Sequence, residues 1–66
     1  MHIILNGDRR AIPDGLSVNG LLSYLGIAAR KVAVERNREI VPKFAFDETV
    51  VVDGDALEIV AFIGGG

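Results

Sequence analysis

Leu16–Ile27, with the sequence LSVNGLLSYLGI, carries the signals of one short helix whose two ends are both marked. Ser17 suits the N-cap because its hydroxyl can accept a hydrogen bond from a backbone N–H group of the first helical turn. Gly26 suits the left-handed residue that ends a helix, and Ile27 is the apolar residue expected after it. One apolar face is predicted from four residues at helical spacing: Val18, Leu21, Leu22 and Leu25.

The segments on both sides of this helix alternate apolar and polar residues in the period-two pattern of strands. Asn6-Gly7 is a strong hairpin signal because both residues tolerate a positive φ, and Asn37-Arg38 predicts a second tight turn. We predict strands at Met1–Leu5, Asp8–Ile12, Val32–Glu35, Glu39–Val41 and Leu57–Ile63. One helix and four or five strands indicate an α+β fold, in which a mixed sheet packs on the helix.

The apolar residues of these elements define a predicted core between the helix and the sheet. Its expected members are Met1, Ile3, Leu5, Ile12, Val18, Leu21, Leu22, Leu25, Val32, Val34, Leu57 and Ile59. Gly20 disagrees with the helix prediction, because glycine in a first turn costs up to about 1 kcal/mol relative to alanine.

Composition narrows the class of protein. The chain has 66 residues and no cysteine, and half of its residues are hydrophobic, so we expect one domain without disulfides or thiol chemistry. The net charge of −2 and the scattered basic residues argue against nucleic-acid binding. The apolar runs are too short to cross a membrane, and no signal-peptide pattern is present. These features favour a cytoplasmic protein.

Catalytic and metal-binding signals are weak. His2 is the only histidine and is expected to be an exposed strand residue. The DGD sequence at Asp53–Asp55 lacks the further ligands of a calcium loop and is expected to be a turn. No phosphate-binding glycine loop or nucleophile pair is present, so we expect no enzyme activity of the chain itself and no bound metal.

The last three residues of the sequence, Gly64, Gly65 and Gly66, directly follow the hydrophobic strand. Three residues without side chains can pass through a channel that would exclude any Cβ atom. Such a tail would present one functional group, the α-carboxylate of Gly66. We predict that residues 1–63 form the domain and that residues 64–66 form a flexible glycine tail.

Several motifs together resemble one known family. They are the helix pattern V..LL..LG at Val18–Gly26, VAVERNREIVP at Val32–Pro42, the aromatic Phe46, DGD, and the terminal glycines. Over nearly the whole chain, this combination resembles the ThiS family, the sulfur carrier proteins of thiamine biosynthesis. Three positions depart from the family's usual residues: Gly20, Arg36 and Phe46. The resemblance implies a ubiquitin-like β-grasp fold, in which a mixed four- to five-stranded sheet packs on one helix and the last strand pairs parallel to the first.

The resemblance also implies a chemistry. An E1-like adenylating enzyme of the ThiF type would use ATP and Mg²⁺ to convert the Gly66 carboxylate to an acyl-adenylate, and the chain would bind no cofactor itself. A sulfur donor, such as a cysteine desulfurase system, would then replace AMP and leave a thiocarboxylate. This thiocarboxylate would give its sulfur to thiazole synthase of the ThiG type, while Gly64 and Gly65 thread the tail into each partner.

A partner-binding surface is expected on the sheet face that points away from the helix. The alternation of the last strand places Val60 and Phe62 on that face, with Ile4 on the first strand and Ile63 next to the tail. Two related functions stay open: the small subunit of molybdopterin synthase, and a ubiquitin-like modifier that is joined to lysines. A domain that serves only as an interaction module would make no use of the last carboxylate.

Overall fold

The structure, a computed structural model, describes residues 1–62. Within this range the chain forms one α-helix and five strands, in agreement with the sequence prediction. Their bounds are β1 His2–Leu5, β2 Asp8–Ala11, α1 Val18–Leu25, β3 Val32–Arg36, β4 Glu39–Val41 and β5 Ala56–Ala61. Two single turns of 3₁₀ helix lie at Ala29–Lys31 and Lys43–Ala45.

The five strands form one mixed sheet in the order β2-β1-β5-β3-β4. β5 lies in the centre, parallel to β1 with Ile4 opposite Ala56, and antiparallel to β3 with Val34 opposite Ile59. The two hairpins β1–β2 and β3–β4 complete the sheet on either side. The helix and this sheet confirm the ubiquitin-like β-grasp, including the parallel pairing of the first and last strands.

Both predicted hairpin turns are confirmed by their backbone angles. Asn6 and Gly7 have φ values of 49° and 87°, and Asn37 and Arg38 have values of 52° and 70°. Asparagine and glycine adopt this left-handed region readily, whereas a long side chain such as that of Arg38 does so at an energetic cost. Arg38 is therefore a strained residue in an otherwise favourable turn.

The core lies between α1 and the inner face of the sheet, and most of its members are those predicted. The buried ones are Ile3, Ile12, Val18, Leu21, Leu22, Val32, Val34 and Leu57, and the partly buried ones are Met1, Leu5, Leu25 and Ile59. Three further residues are buried that the sequence analysis did not include: Val41, Phe46 and Val51. Phe46 and Val51 lie outside the regular elements, so no periodic pattern indicated their burial.

The segment Thr49–Val52, which reads as extended in the sequence, forms no regular strand. It runs beside the start of the helix, where Thr49 O accepts a hydrogen bond from Val18 N at 2.8 Å and Val51 N donates to Leu16 O at 2.9 Å. A single β-bridge joins Val50 to Ser17. The segment thus fixes the position of the helix N-terminus and buries Val51 against the core.

The helix ends are capped as predicted. Ser17 Oγ accepts a hydrogen bond from Gly20 N at 3.0 Å, and Gly26 ends the helix with φ 74°. Gly20 itself has no steric reason to be glycine. A Cβ atom there would lie 3.4 Å from Ser17 Oγ and 3.5 Å from Leu16 Cδ2, which are ordinary contact distances.

We expect the Gly20→Ala substitution to raise the free energy of unfolding by about 0.5–1 kcal/mol, because it removes the backbone entropy cost of a helical glycine. A urea denaturation curve measures the change. Gly26→Ala is the matched control and should destabilise the protein, because its left-handed φ disfavours any Cβ atom. A loss of stability in Gly20→Ala would show that the Cβ atom disturbs the helix start.

No helix among residues 1–62 is both long and apolar enough to cross a membrane.

Candidate functional site

The candidate site is the end of the central strand β5, because only Phe62 and Ile63 separate this strand from the three glycines in the sequence. β5 is paired on both sides, with β1 and with β3, so the sheet fixes its direction. The predicted tail residues Gly64, Gly65 and Gly66 and the predicted interface residue Ile63 lie outside the described residues. Their roles and the domain boundary at residue 63 therefore stay predictions, and the site is described here as far as Phe62.

Asn6 extends the pairing of β5 beyond the end of β1. Its side-chain Oδ1 accepts a hydrogen bond from Ile59 N at 2.7 Å, and its Nδ2 donates to Ile59 O at 3.2 Å. Because β1 ends at Leu5, the Asn6 amide takes the place of the missing backbone neighbour. The residue that makes the first hairpin turn therefore also holds the second half of β5.

Asn37 also binds the backbone of β5, at the start of the strand. Its backbone N donates to Ala56 O at 2.7 Å, and its Oδ1 accepts from Ala56 N at 2.9 Å. Its Nδ2 donates to Asp55 Oδ1 at 3.0 Å. Both hairpin asparagines thus bind the backbone of the central strand, which makes the strand a fixed base for whatever follows it.

Asp55 is the buried polar centre of this region, with only 4% of its surface exposed. Arg36 Nε donates to Asp55 Oδ2 at 2.8 Å, and the backbone N of Val52 donates to the same oxygen at 2.8 Å. Burial alone would raise the pKa of Asp55, but hydrogen bonds from Arg36, Val52 and Asn37, together with the charge of Arg36, lower the pKa below its ordinary value. Asp55 is therefore held as an ionised carboxylate.

This network refines two expectations from the sequence. The DGD segment does turn at Asp53-Gly54, with φ 86° at Gly54, but Asp55 is a buried structural anion as well as a turn residue. Arg36, which departs from the usual family residue, has a direct partner in this carboxylate. Sequence reasoning missed the pair because its members lie 19 positions apart.

Phe62 is fixed at the other end of β5 by two contacts. Its backbone N donates to Lys31 O at 2.9 Å, and its ring centroid lies 5.1 Å from the ammonium of Lys43. Lys43 Nζ also donates a hydrogen bond to Arg30 O at 2.8 Å. The Lys43 side chain and the backbone of Arg30 and Lys31 thus come together where the chain leaves the sheet.

The predicted interface residues are exposed, but they do not form one continuous patch. The exposed fractions of Ile4, Val60 and Phe62 are 38%, 57% and 58%. Ile4 pairs with Ala56, which is four residues before Val60, so the two apolar side chains are about 13 Å apart along the strand direction. Val60 and Phe62 lie at the end of β5, whereas Ile4 lies level with the start of that strand.

Two carboxylates occupy the outer sheet face between these apolar residues. Glu58 on β5 lies directly opposite Glu35 on β3, and like charges in such a pair repel each other. Among residues 1–62, no group of three histidine, aspartate or glutamate side chains is arranged to hold a metal ion. His2 is exposed, and its backbone N donates to Asp53 Oδ1 at 2.9 Å, which gives Asp53 a role in the turn.

The fold and the site define a class of protein. A mixed β-grasp sheet with one helix, whose central strand is followed in the sequence by consecutive glycines, is the arrangement of ubiquitin-like proteins. A sequence model described as the ThiS family matches residues 3–66. The chain belongs to the ThiS family.

Individual relatives agree with this assignment. The sulfur carrier protein ThiS of Bacillus subtilis is 40% identical over 63 residues, which are 94% of this chain and 96% of that protein. The crystal structure of the thiamine biosynthesis protein ThiS from Geobacter metallireducens matches all of both chains with a TM-score of 0.86 and 43% identity.

A second kind of relative is much longer than this chain. A thiazole synthase of Paramagnetospirillum magneticum is 54% identical over all 66 residues, and one of Magnetococcus marinus is 44% identical. The chain spans about a fifth of the length of each of these two relatives.

Proposed function

We propose that this chain is a sulfur carrier for thiamine biosynthesis, which acts as a co-substrate of partner enzymes and not as an enzyme itself. The observation that carries the proposal is the match to the Bacillus subtilis sulfur carrier protein over nearly the full length of both chains. The absence of cysteine supports it, because no side chain offers a thiol on which sulfur could be carried.

In this proposal the reactive group is the terminal carboxylate of Gly66. The carboxylate attacks the α-phosphorus of ATP on a ThiF-type adenylating enzyme that holds Mg²⁺, and pyrophosphate leaves. A sulfide equivalent then attacks the carbonyl carbon of the acyl-adenylate, and AMP leaves with the electron pair of the C–O bond. The product is a thiocarboxylate, and with sulfide as the donor the step needs neither an oxidant nor a reductant.

The proposed acceptor of this sulfur is thiazole synthase of the ThiG type. Support comes from the two relatives named thiazole synthase, in which a segment similar to this whole chain is part of the protein. Association within one polypeptide favours a productive encounter, because it raises the effective concentration of one module near the other. A cysteine desulfurase system is the proposed source of the sulfur; because it delivers sulfur as a persulfide, a thiol must supply the two electrons that release this sulfur as sulfide and is itself oxidised to a disulfide.

The described part of the chain supports this role through the rigidity of β5. The strand is paired on both sides, and hydrogen bonds with Asn37 and Asn6 hold Ala56 at its start and Ile59 in its second half. A fixed strand sets the point from which the tail departs, so a partner that grips the sheet would also place the tail. Position matters in such a reaction, because an error of about 1 Å can reduce a positioned step a hundredfold.

Intact mass spectrometry tests the proposal. The purified chain is incubated with ATP, Mg²⁺, a ThiF-type enzyme from the same organism and sulfide, and each component is omitted in turn. We expect the mass of one oxygen-to-sulfur exchange, located in the last peptide and dependent on every component. Covalent attachment to lysines of other proteins, without sulfur uptake, would instead identify a ubiquitin-like modifier and overturn the proposal.

The exposed apolar residues at the end of β5, Val60 and Phe62, give a separate prediction. We expect Val60→Asp to weaken the affinity for the adenylating enzyme at least about tenfold, because it places a charge in an apolar contact. Ile40→Asp is the matched control: Ile40 is 65% exposed on the edge strand β4, two strands from β5, and this variant should bind normally. Isothermal titration calorimetry measures both, and equal affinities for the two variants would show that the partner does not contact Val60.

A further inference from the structure

Three basic residues border the point where the chain leaves the sheet, two through their backbone and one through its side chain. Arg30 and Lys31 belong to the 3₁₀ turn before β3, and Lys43 belongs to the 3₁₀ turn after β4. The backbone of Lys31 binds Phe62, the ammonium of Lys43 lies over the Phe62 ring, and Lys43 also binds the Arg30 carbonyl. We call Arg30, Lys31, Lys43 and Phe62 the exit cluster.

The charge of the exit cluster contrasts with that of the whole chain. The chain carries a net charge of −2, yet three of its seven basic residues make backbone or side-chain contacts at this one place. All three are exposed, and within residues 1–62 none of them forms an ion pair. By comparison, Arg36 is neutralised by Asp55. The exit cluster therefore offers positive charge that no carboxylate in the described part of the protein neutralises.

The Lys43 side chain of the exit cluster is held in place by two contacts, whereas most surface lysines are not. A free lysine side chain loses up to about 2 kcal/mol of rotamer entropy when a partner immobilises it. Lys43 is already held by the Arg30 carbonyl at 2.8 Å and by the Phe62 ring at 5.1 Å. A partner that binds the cluster would therefore encounter a prearranged charge beside an exposed aromatic ring.

We propose that the exit cluster is a docking surface for an acidic patch on the adenylating enzyme, next to the opening that receives the glycine tail. The inference rests on the function proposed above and adds the partner chemistry that this function leaves open. Carboxylates of the partner would pair with the three basic side chains, while Phe62 and Phe44, which follows Lys43 in the same 3₁₀ turn and is 84% exposed, supply apolar contact. A mixture of cations and aromatic rings is typical of protein interfaces.

This pairing has a consequence for sulfur loading. Attraction between the exit cluster and an acidic rim acts before contact, so it raises the association rate and aligns the tail with its channel. Nucleic acid is a less suitable occupant, because three cations on a chain of net negative charge supply little phosphate neutralisation. The docking interaction should therefore depend on salt and act mainly on the KM for the carrier, not on kcat.

Charge reversal tests the inference with a matched control. The test variant is Arg30→Glu/Lys43→Glu, and the control is Arg9→Glu/Arg10→Glu on β2, two strands away from β5 in the sheet. Both variants change the net charge equally, and all four positions are exposed. Melting curves confirm that each variant folds. Pyrophosphate release by the adenylating enzyme is then measured against carrier concentration at low and at high salt.

We expect the test variant to raise the KM at low salt at least about tenfold, with a much smaller effect at high salt and a nearly unchanged kcat. The control should stay within about twofold of the wild type. Equal KM changes in the two variants would overturn the inference, because the overall charge of the chain would then explain both changes. An unchanged KM in both variants would also overturn it. If the wild type is adenylated normally in those cases, the proposed function stands without this docking surface.

Two further outcomes are decisive. If the wild-type chain is not adenylated at all, the proposed function fails and the inference fails with it. A gel-shift experiment with a short single-stranded DNA covers the other occupant: tight binding by the wild type that the test variant loses would assign the exit cluster to nucleic acid and overturn the inference. We expect no shift with either protein at physiological salt.

Discussion

Deletion of Gly66 should reduce the rate of sulfur loading at least about a hundredfold while leaving the melting temperature unchanged. The deletion shortens an extended tail by about 3.3–3.6 Å, which exceeds the roughly 1 Å error that already impairs a positioned reaction. The core residues described within residues 1–62 include no tail residue, so the deletion should not change the stability of the fold. Single-turnover incubation with the adenylating enzyme, followed by intact mass spectrometry, measures the rate.

Gly65→Val is the companion variant and should fail for a different reason. It keeps the length of the tail but adds a branched side chain where the proposed channel accepts only bare backbone. Gly20→Ala serves as a control, because it alters a glycine in the helix α1 and leaves the tail sequence unchanged, so this variant should load sulfur at the wild-type rate. If the protein without Gly66 acquires sulfur as fast as the wild type, the terminal residue is not the carrier site.

Asp55→Ala should lower the free energy of unfolding by about 2–4 kcal/mol, the largest stability effect that we predict for a polar residue here. The substitution removes the acceptor for Arg36, Val52 and Asn37 and leaves these donors without their partner. Asp53→Ala in the same turn is the control. Asp53 accepts one hydrogen bond, from His2 N in an exposed setting, so its loss should cost less than about 1 kcal/mol. Urea unfolding at pH 7 compares the two variants, and an equal effect would contradict the central role of Asp55.

The same carboxylate predicts an acid-dependent part of the stability. Its pKa is lower in the folded protein than in the unfolded chain, so its contribution is fully present above the unfolded pKa of about 3.9 and is lost as the pH falls through the folded value. We therefore expect the wild type to lose more stability between pH 5 and about pH 3 than Asp55→Asn, which cannot titrate. Parallel stability curves for the two proteins over this range would show that Asp55 does not titrate as its contacts imply.

The elements that were predicted correctly from the sequence are those whose signals lie within a few residues of one another. Ser17 and Gly26 cap the helix through bonds to residues three or four positions away, and Asn6-Gly7 turns the chain through its own backbone preference. Such signals lie within a few residues of one another, so they can be read without the fold. The parallel pairing of β1 and β5 joins distant segments, and it was expected only from the resemblance to the ThiS family.

The features that the sequence did not reveal depend on distant partners. Asp55 was taken for a turn residue because its partner Arg36 lies 19 positions earlier. Lys43 and Phe62 meet only because β3, β4 and β5 lie side by side in the sheet. Ile4 and Val60 were expected to share one patch, but the register of β1 against β5 sets them apart. Period-two alternation gives the face of a strand residue, whereas register gives its position along the sheet.

Transfer of labelled sulfur tests the central claim most directly. The chain is first converted to its thiocarboxylate with heavy-isotope sulfide, purified, and then incubated with a ThiG-type thiazole synthase and that enzyme's other substrates. We predict that the thiazole product contains the heavy sulfur and that the carrier returns to the mass of its free carboxylate. A thiazole product without the label, formed while the carrier keeps its heavy sulfur, would contradict the claim that this chain carries sulfur to thiamine.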